Sequence, residues 1–279
     1  MTAETDARGA RRERPPLIHR HRLSTRIWHW VSAALVVILV MSGAGIFNAY
    51  PRLHWGSAGA APDPAWLEIG AGEARGYLRV GGAEVTTTGV LGYFPGAPED
   101  ARAAPFPPAV TLPPARDLAG ARRWHLSAAW LFALGTVGFG LLGLLNGHVW
   151  RNLLPAARQC HPRHIARECL DHARLRPARG AAAGEYGLLQ RLAYLGVTGV
   201  IFPLLVLTGL TMSPWVVAVV PELLDLFGGR QSARTIHFLA AVALLLFILL
   251  HLAMVLVAGP INHTRSMLTG RLRVHGEDR

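Results

Sequence analysis

Four apolar blocks dominate this chain, at approximately 28–47, 126–145, 192–212 and 236–258. Each is near the ~20 residues that an α-helix needs to cross a bilayer core of about 30 Å. Of the 279 residues, 51% are hydrophobic. In hydrocarbon every backbone polar group must find its partner within the protein, and uninterrupted blocks of this length do so as helices. The expected fold is therefore an all-α integral membrane protein, a four-transmembrane-helix bundle over 21–279. A flexible basic arm over 1–20, its end marked by Pro15-Pro16, precedes the bundle, and a long insertion over 50–121 follows the first span. The first block contains His29, Trp30 and Ser32 and no small-residue cleavage site follows it, so it reads as a retained span rather than a signal peptide.

All 28 basic residues are arginine. They crowd the N-terminal arm, the segment between the second and third blocks, and the C-terminal tail. The 50–121 segment instead balances its arginines with Asp63, Glu68, Glu73, Glu84, Glu99, Asp100 and Asp117. The positive-inside rule then predicts both termini and the second loop in the cytoplasm, and 50–121 on the opposite, periplasmic side. A net charge of +11 is also compatible with nucleic acid, but here the excess flanks the spans. Anionic membrane lipid is the simpler partner, and nucleic-acid binding is not expected. The segment from Arg151 to Glu185 reads as partly helical, basic and amphipathic, lying at the membrane surface. Its Cys160 and Cys169, with His161 and His164, lack paired CxxC spacing and read as ordinary loop residues rather than a zinc site. Within 50–121, Tyr77–Val80 and Glu84–Thr88 flank Gly81-Gly82 as a small hairpin. Pro203 is expected to kink the third span. No convincing internal repeat is found.

His237 and His251 lie fourteen residues apart in the fourth block. Fourteen residues bring a helix back to the same face about 21 Å further along its axis. Ionisable side chains in a bilayer are costly and functional, and neutral imidazoles offer a ring nitrogen to a metal. Two stacked metal centres follow, with haem iron as the leading candidate. His29 and His125 stand at the entrances of the first and second blocks. Alternating span directions match His29 in depth with His251, and His125 with His237, which gives two bis-imidazole haem b sites within a bundle. No CxxCH signature occurs, so the haems are expected to be held non-covalently. Fourteen residues on from His29 stands Gly43, and fourteen on from His125 stands Phe139, flanked by Gly138 and Gly140. A missing side chain at those depths leaves flat space for a macrocycle. Arg26, Arg123 and Arg234 are candidates for pairing haem propionates. No catalytic residue is assigned, because bis-histidine ligation leaves the iron no open position and favours electron transfer.

Arg26-xx-His29-Trp30, Trp124-His125, and His237 with His251 together resemble the four-helix cytochrome b subunits of formate dehydrogenase (gamma subunit) and nickel-iron hydrogenase. That family takes one histidine from each of spans one and two and two from span four. TTTGVLGYF, LTGLTMSP, LLDLFGGRQSARTIHF and AGPINHTRSMLTGR are similar to a bacterial branch of thiosulfate-reductase-type cytochrome b subunits. The resemblance implies a place in the bacterial inner membrane. It also implies electron transfer between a periplasmic, molybdopterin-containing oxidoreductase and the quinone pool. The insertion over 50–121 departs from the shorter loop of the formate dehydrogenase subunit, and it is expected to dock the catalytic partner. Quinone is expected at the inner haem, with Asn146, Gly147 and His148 as a polar rim. A metal-ion transporter, the main rival, calls for acidic or sulfur ligands, and blocks one, two and four contain no Asp, Glu or Cys. A cofactor-free anchor would have no use for depth-matched histidines.

Overall fold

The computed structural model describes residues 17–60, 62–114, 116–147, 161–163, 166, 170 and 187–273. Positions 1–16 of the expected arm, most of the 151–185 segment, and His148, Cys160, His164 and Cys169 lie outside the described residues. Among the described residues four helical stretches are long and apolar enough to cross a membrane: Leu23–Phe47, Leu118–Leu145, Leu188–Thr211 and Arg230–Ala258. All four expected spans are present as helix. Each starts a turn or more before its apolar block, because interfacial Arg, Trp and polar residues continue a helix without needing hydrocarbon.

The chain divides into two compact units. The first comprises Met1–Arg26, Pro155–Arg191 and His251–Arg279. In it β1 (Leu17–His19) pairs antiparallel with β6 (Arg271–Arg273), with Ile18 opposite Leu272. Those three residues thus leave the arm expected over 1–20. Asn262, in α9 (Pro260–Thr269), grips the Arg273 backbone from both sides: Nδ2 donates to its carbonyl at 2.8 Å and Oδ1 accepts its N–H at 3.1 Å.

The second unit comprises Ile27–Leu154 and Leu192–Leu250. It holds most of α1 (Leu23–Phe47), the short α2 (Glu99–Arg102), α3 (Leu118–Leu145), the short α6 (Pro214–Val219) and α7 (Glu222–Leu226), and most of α8 (Arg230–Ala258). The third span begins with α4 (Leu188–Gly196), passes through a π-helical segment at Val197–Ile201 and continues as α5 (Phe202–Thr211). Pro203 has no N–H to give the preceding turn, and its ring crowds that turn. The chain answers with a wider turn in which Phe202 N–H reaches back to Val197 O. Where a kink is expected, the structure has a π segment just before the proline. Leu35, Val36, Ala128, Phe132, Val197, Phe202 and Leu244 form the core among these helices. Phe132 and Phe202 meet edge to face, with centroids 4.8 Å apart. Lipid is as apolar as these side chains, so close packing rather than transfer from water holds the helices together.

The all-α expectation holds for the membrane part only. The insertion carries an antiparallel sheet in the order β2 (Arg52–Leu53), β3 (Leu67–Gly72), β4 (Arg75–Val80) and β5 (Ala83–Thr86). The expected hairpin over Gly81-Gly82 is its outer pair, β4 and β5. Leu67 and Ile69 point into a small core with Phe47 and Leu53. On the other face, Arg52, Glu68, Arg79 and Glu84 stand directly opposite one another across four strands. Their ion pairs run 2.9, 3.0 and 2.8 Å along that row, and Arg75 closes on Glu84 at 2.9 Å. Alternating charge in opposed positions stabilises a sheet where like charges would split it. Tyr77 donates its hydroxyl hydrogen to Glu68 at 3.0 Å.

This charge ladder has a pH signature at both ends. The Arg79 guanidinium holds the Glu84 carboxyl below its ordinary value of 4.5. That contribution is present above the ordinary value and fades as pH falls through the depressed one. Burial, then Glu68, raises the Tyr77 phenol above 10.0. That contribution is full below pH 10 and fades as pH rises through the raised value. Amide protection in β4 and β5, taken as the ratio of intrinsic to observed exchange rate, should therefore fall at both extremes and be greatest between them. Protection that persists unchanged well below pH 4 would remove Glu84 from this role.

Helix and sheet are sewn together inside this unit. Gly56 O accepts the N–H groups of Gln231 and Ser232, satisfying donors that the start of α8 leaves without intrahelical partners. Ser232 Oγ in turn accepts from Gly56 N at 2.7 Å, and Thr235 donates to the His54 carbonyl at 2.7 Å.

Candidate haem site

Asp117 starts α3, its carboxylate accepting the Gly120 N–H at 2.8 Å, and seven residues after the helix's first position comes His125. His237 is likewise seven residues after the start of α8. The two imidazoles have centroids 6.3 Å apart, with planes at 64°. Two imidazoles sharing one metal through Nε2, each nitrogen about 2 Å from it and each ring centre about 1 Å further back, would have centroids about 6 Å apart. The observed pair meets that requirement.

The hydrogen bonds settle the tautomer of His125. Its Nδ1 lies 3.1 Å from Leu39 O and 3.1 Å from Ser42 Oγ. A carbonyl only accepts, so Nδ1 carries the proton and Nε2 keeps a lone pair for a metal. The Ser42 hydroxyl hydrogen goes to Ile38 O at 2.6 Å, which leaves its oxygen to receive Nδ1–H. His237 repeats this arrangement. Its Nδ1 is 2.9 Å from Thr208 Oγ1, it bonds the Leu205 backbone, and Thr208 gives its own hydrogen to Leu204 O at 2.6 Å. Polar groups behind metal-binding histidines orient the ring and raise its basicity.

Space is shaped as well. A Cβ on Gly43 would stand 3.4 Å from His125 Cε1, and one on Gly209 would stand 3.5 Å from His237 Cε1. Both rings therefore lie against glycine. Among the described residues no three His, Cys, Asp or Glu side chains come together as a metal-ion cluster. A metal held by two imidazoles needs its other donors from elsewhere, and a porphyrin supplies four in a plane. The donor set fits haem.

The structure thus brings together His125, His237 and Gly43 from the expected set. It adds Ser42, Thr208 and Gly209, which sequence reasoning did not select; the signal they offered was a hydroxyl followed by glycine in each of two spans. His29 lies half-buried in α1 with its ring edge-on to Trp30, and His251 belongs to the other unit, so their pairing rests on spacing alone. Gly138 and Gly140 leave open space around an added Cβ, whereas Gly135 is the glycine of close approach, against the Trp28 ring. Arg26 donates to Met267 O at 3.3 Å. Arg123 is exposed, 4.0 Å from Asp117. Arg234 donates to Arg52 O at 2.8 Å and to Tyr50 O, and its guanidinium lies over the Phe47 and Tyr50 rings. Asn146 and Gly147, expected at a quinone rim, form the C-terminal cap of α3, with Gly147 at φ +64°.

Residues 20–270 match the family described as prokaryotic cytochrome b561. A curated relative from Azospira oryzae, assigned as the protein-methionine-sulfoxide reductase subunit YedZ1, is 28% identical over 230 residues, covering 82% of this chain and 86% of the relative. No solved structure matches the chain.

Proposed function

Because this chain belongs to the prokaryotic cytochrome b561 family, multi-pass bacterial membrane proteins that bind haem b and carry electrons for an oxidoreductase, we propose that it anchors such an enzyme and links it to the quinone pool. One haem b is held by His125 and His237. A second, on His29 and His251, is supported by the fourteen-residue interval along α8. Haem iron supplies reversible one-electron exchange, and the protein supplies position, tautomer and seclusion from water. The arginine distribution supports cytoplasmic termini, which puts His125, His237 and the sheet on the periplasmic side. The sheet then faces a periplasmic catalytic subunit. The resemblance to subunits accompanying molybdopterin enzymes, and a relative assigned to methionine-sulfoxide reduction, both support a partner that handles an oxidised or reduced sulfur or oxyanion substrate. Quinone exchanges electrons on the opposite side, where family resemblance is the support.

The observation that carries this reading is the 6.3 Å His125–His237 pair with both Nδ1 atoms engaged. Its test is an optical spectrum of the purified protein, oxidised and then reduced, with haem counted by extraction. Low-spin haem b at two per chain is expected, and a haem-free, folded protein would overturn the reading.

Docking by the sheet makes its own prediction. Val85 and Val90 are exposed apolar side chains of the insertion, Val85 on the sheet face opposite the charge ladder, and exposed apolar side chains rimmed by polar ones mark interaction sites. Val85→Asp with Val90→Asp should leave both haems in place and abolish co-purification with the catalytic subunit. Undiminished co-purification would make the sheet a cap over the periplasmic haem instead.

A further inference from the structure

The two haem-facing hairpins are alike in sequence, in burial and in hydrogen bonding. Leu39-Val40-Met41-Ser42-Gly43 in α1 matches Leu205-Val206-Leu207-Thr208-Gly209 in α5. Ala121-Arg122-Arg123-Trp124-His125 in α3 matches Ala233-Arg234-Thr235-Ile236-His237 in α8. Four pairs of buried positions fall on the same alignment, Ala121 with Ala233, Ala128 with Ala240, Phe132 with Leu244 and Val36 with Phe202, while buried Thr235 matches exposed Arg123. Ser42 and Thr208 are both 0% exposed. Each hydroxyl bonds its own helix four residues back and the histidine of the next span, and the following glycine lies against that same ring. The intervals differ, 83 residues from Ser42 to His125 against 29 from Thr208 to His237. The whole sheet-bearing insertion sits in the first interval, which is why the repeat is hidden in the linear sequence.

We propose that the chain is a duplicated two-helix unit, each copy giving one histidine and one hydroxyl to a shared haem, and that Ser42 and Thr208 are equivalent positioning residues that set this haem's reduction potential. Parallel repeats about an axis along the membrane normal are an established way to build a site at their interface. Each hydroxyl has given its hydrogen away, so it can only accept from Nδ1–H. That bond pushes electron density toward Nε2 and favours ferric iron. Losing either acceptor should weaken the ligand, and by symmetry the two losses should be alike.

This rests on His125 and His237 sharing a haem, so the experiment separates the two ideas. The haem in question is identified as the component of a redox titration that disappears in His237→Ala and in His125→Ala; its survival in both defeats the ligand assignment itself. Ser42→Ala and Thr208→Val are then titrated beside Ser42→Thr and Thr208→Ser. Each hydroxyl-free variant should raise the ferrous-to-ferric ratio of that component about threefold at fixed poise, roughly 30 mV at 59 mV per tenfold for one electron. The exchanged hydroxyls should hold the wild-type potential. Loss of the haem in both hydroxyl-free variants, with retention in both exchanged ones, also supports equivalence. An unmoved potential, a shift in only one of the two, or haem loss in all four variants would overturn it.

Discussion

His237→Ala should purify with about half the haem of the wild type, and His125→Ala should match it. If both side chains serve one iron, as proposed, removing either would leave that iron a single protein ligand. Outer hydrogen bonds to a metal ligand alone are worth 10–100-fold in metal affinity in other sites, so loss of the ligand itself should cost more. Any haem retained should turn high-spin on the side that lost its imidazole. The folded scaffold need not suffer, because the core lies deeper along the helices, at Leu35, Phe132, Phe202 and Leu244. Two low-spin haems per chain in both variants would show that the pair meets for another reason.

Arg234→Ala should loosen the segment that carries the sheet while leaving four helices in place. The guanidinium serves the Tyr50 and Arg52 carbonyls at once and covers the Phe47 and Tyr50 rings. A carbonyl left unpaired when its donor is removed costs about 1–3 kcal/mol where water cannot replace the bond. Arg234→Lys should not restore the wild type, since a point charge cannot bridge two carbonyls as a planar fork does. Trypsin cleavage after Arg52 should accelerate in both variants, and haem should be released at lower temperature. Cleavage at the wild-type rate in Arg234→Ala would show that the Gly56 and Thr235 bonds hold the segment without it.

The spans and the approach of His125 to His237 were legible because the bilayer constrains them: length, hydropathy and the rarity of intramembrane histidine leave few alternatives. His125 and His237 could be matched by depth alone, since two helices of known direction share one thickness. Ser42 and Thr208 were not legible, because a hydroxyl in a membrane helix ordinarily satisfies itself on its own backbone, and the second bond to histidine exists only once two helices meet. The same limit hid Arg234's task. Read along the chain it flanks a span, as a propionate-binding arginine would, but its donors go to carbonyls some 180 residues earlier. The sheet was foreseen only at Gly81-Gly82, where turn chemistry is local. Pairing of Arg52 with Glu68 and of Glu68 with Arg79 depends on strands too short to announce themselves.

The π segment at Val197–Ile201 means that the third span has no single helical phase. One i→i+5 turn takes up an extra residue, which sets everything after it round by about 100° relative to an unbroken α-helix. Leu188 and Val197 are aimed by the first phase; Thr208, Gly209 and Thr211 are aimed by the second. A helical wheel drawn through the whole span therefore misplaces the residues after the π turn by that angle relative to those before it. The offset also lets one continuous span obey two masters. Its lower turns can rotate to suit their own neighbours, while the upper turns keep their hydroxyl and glycine trained on His237.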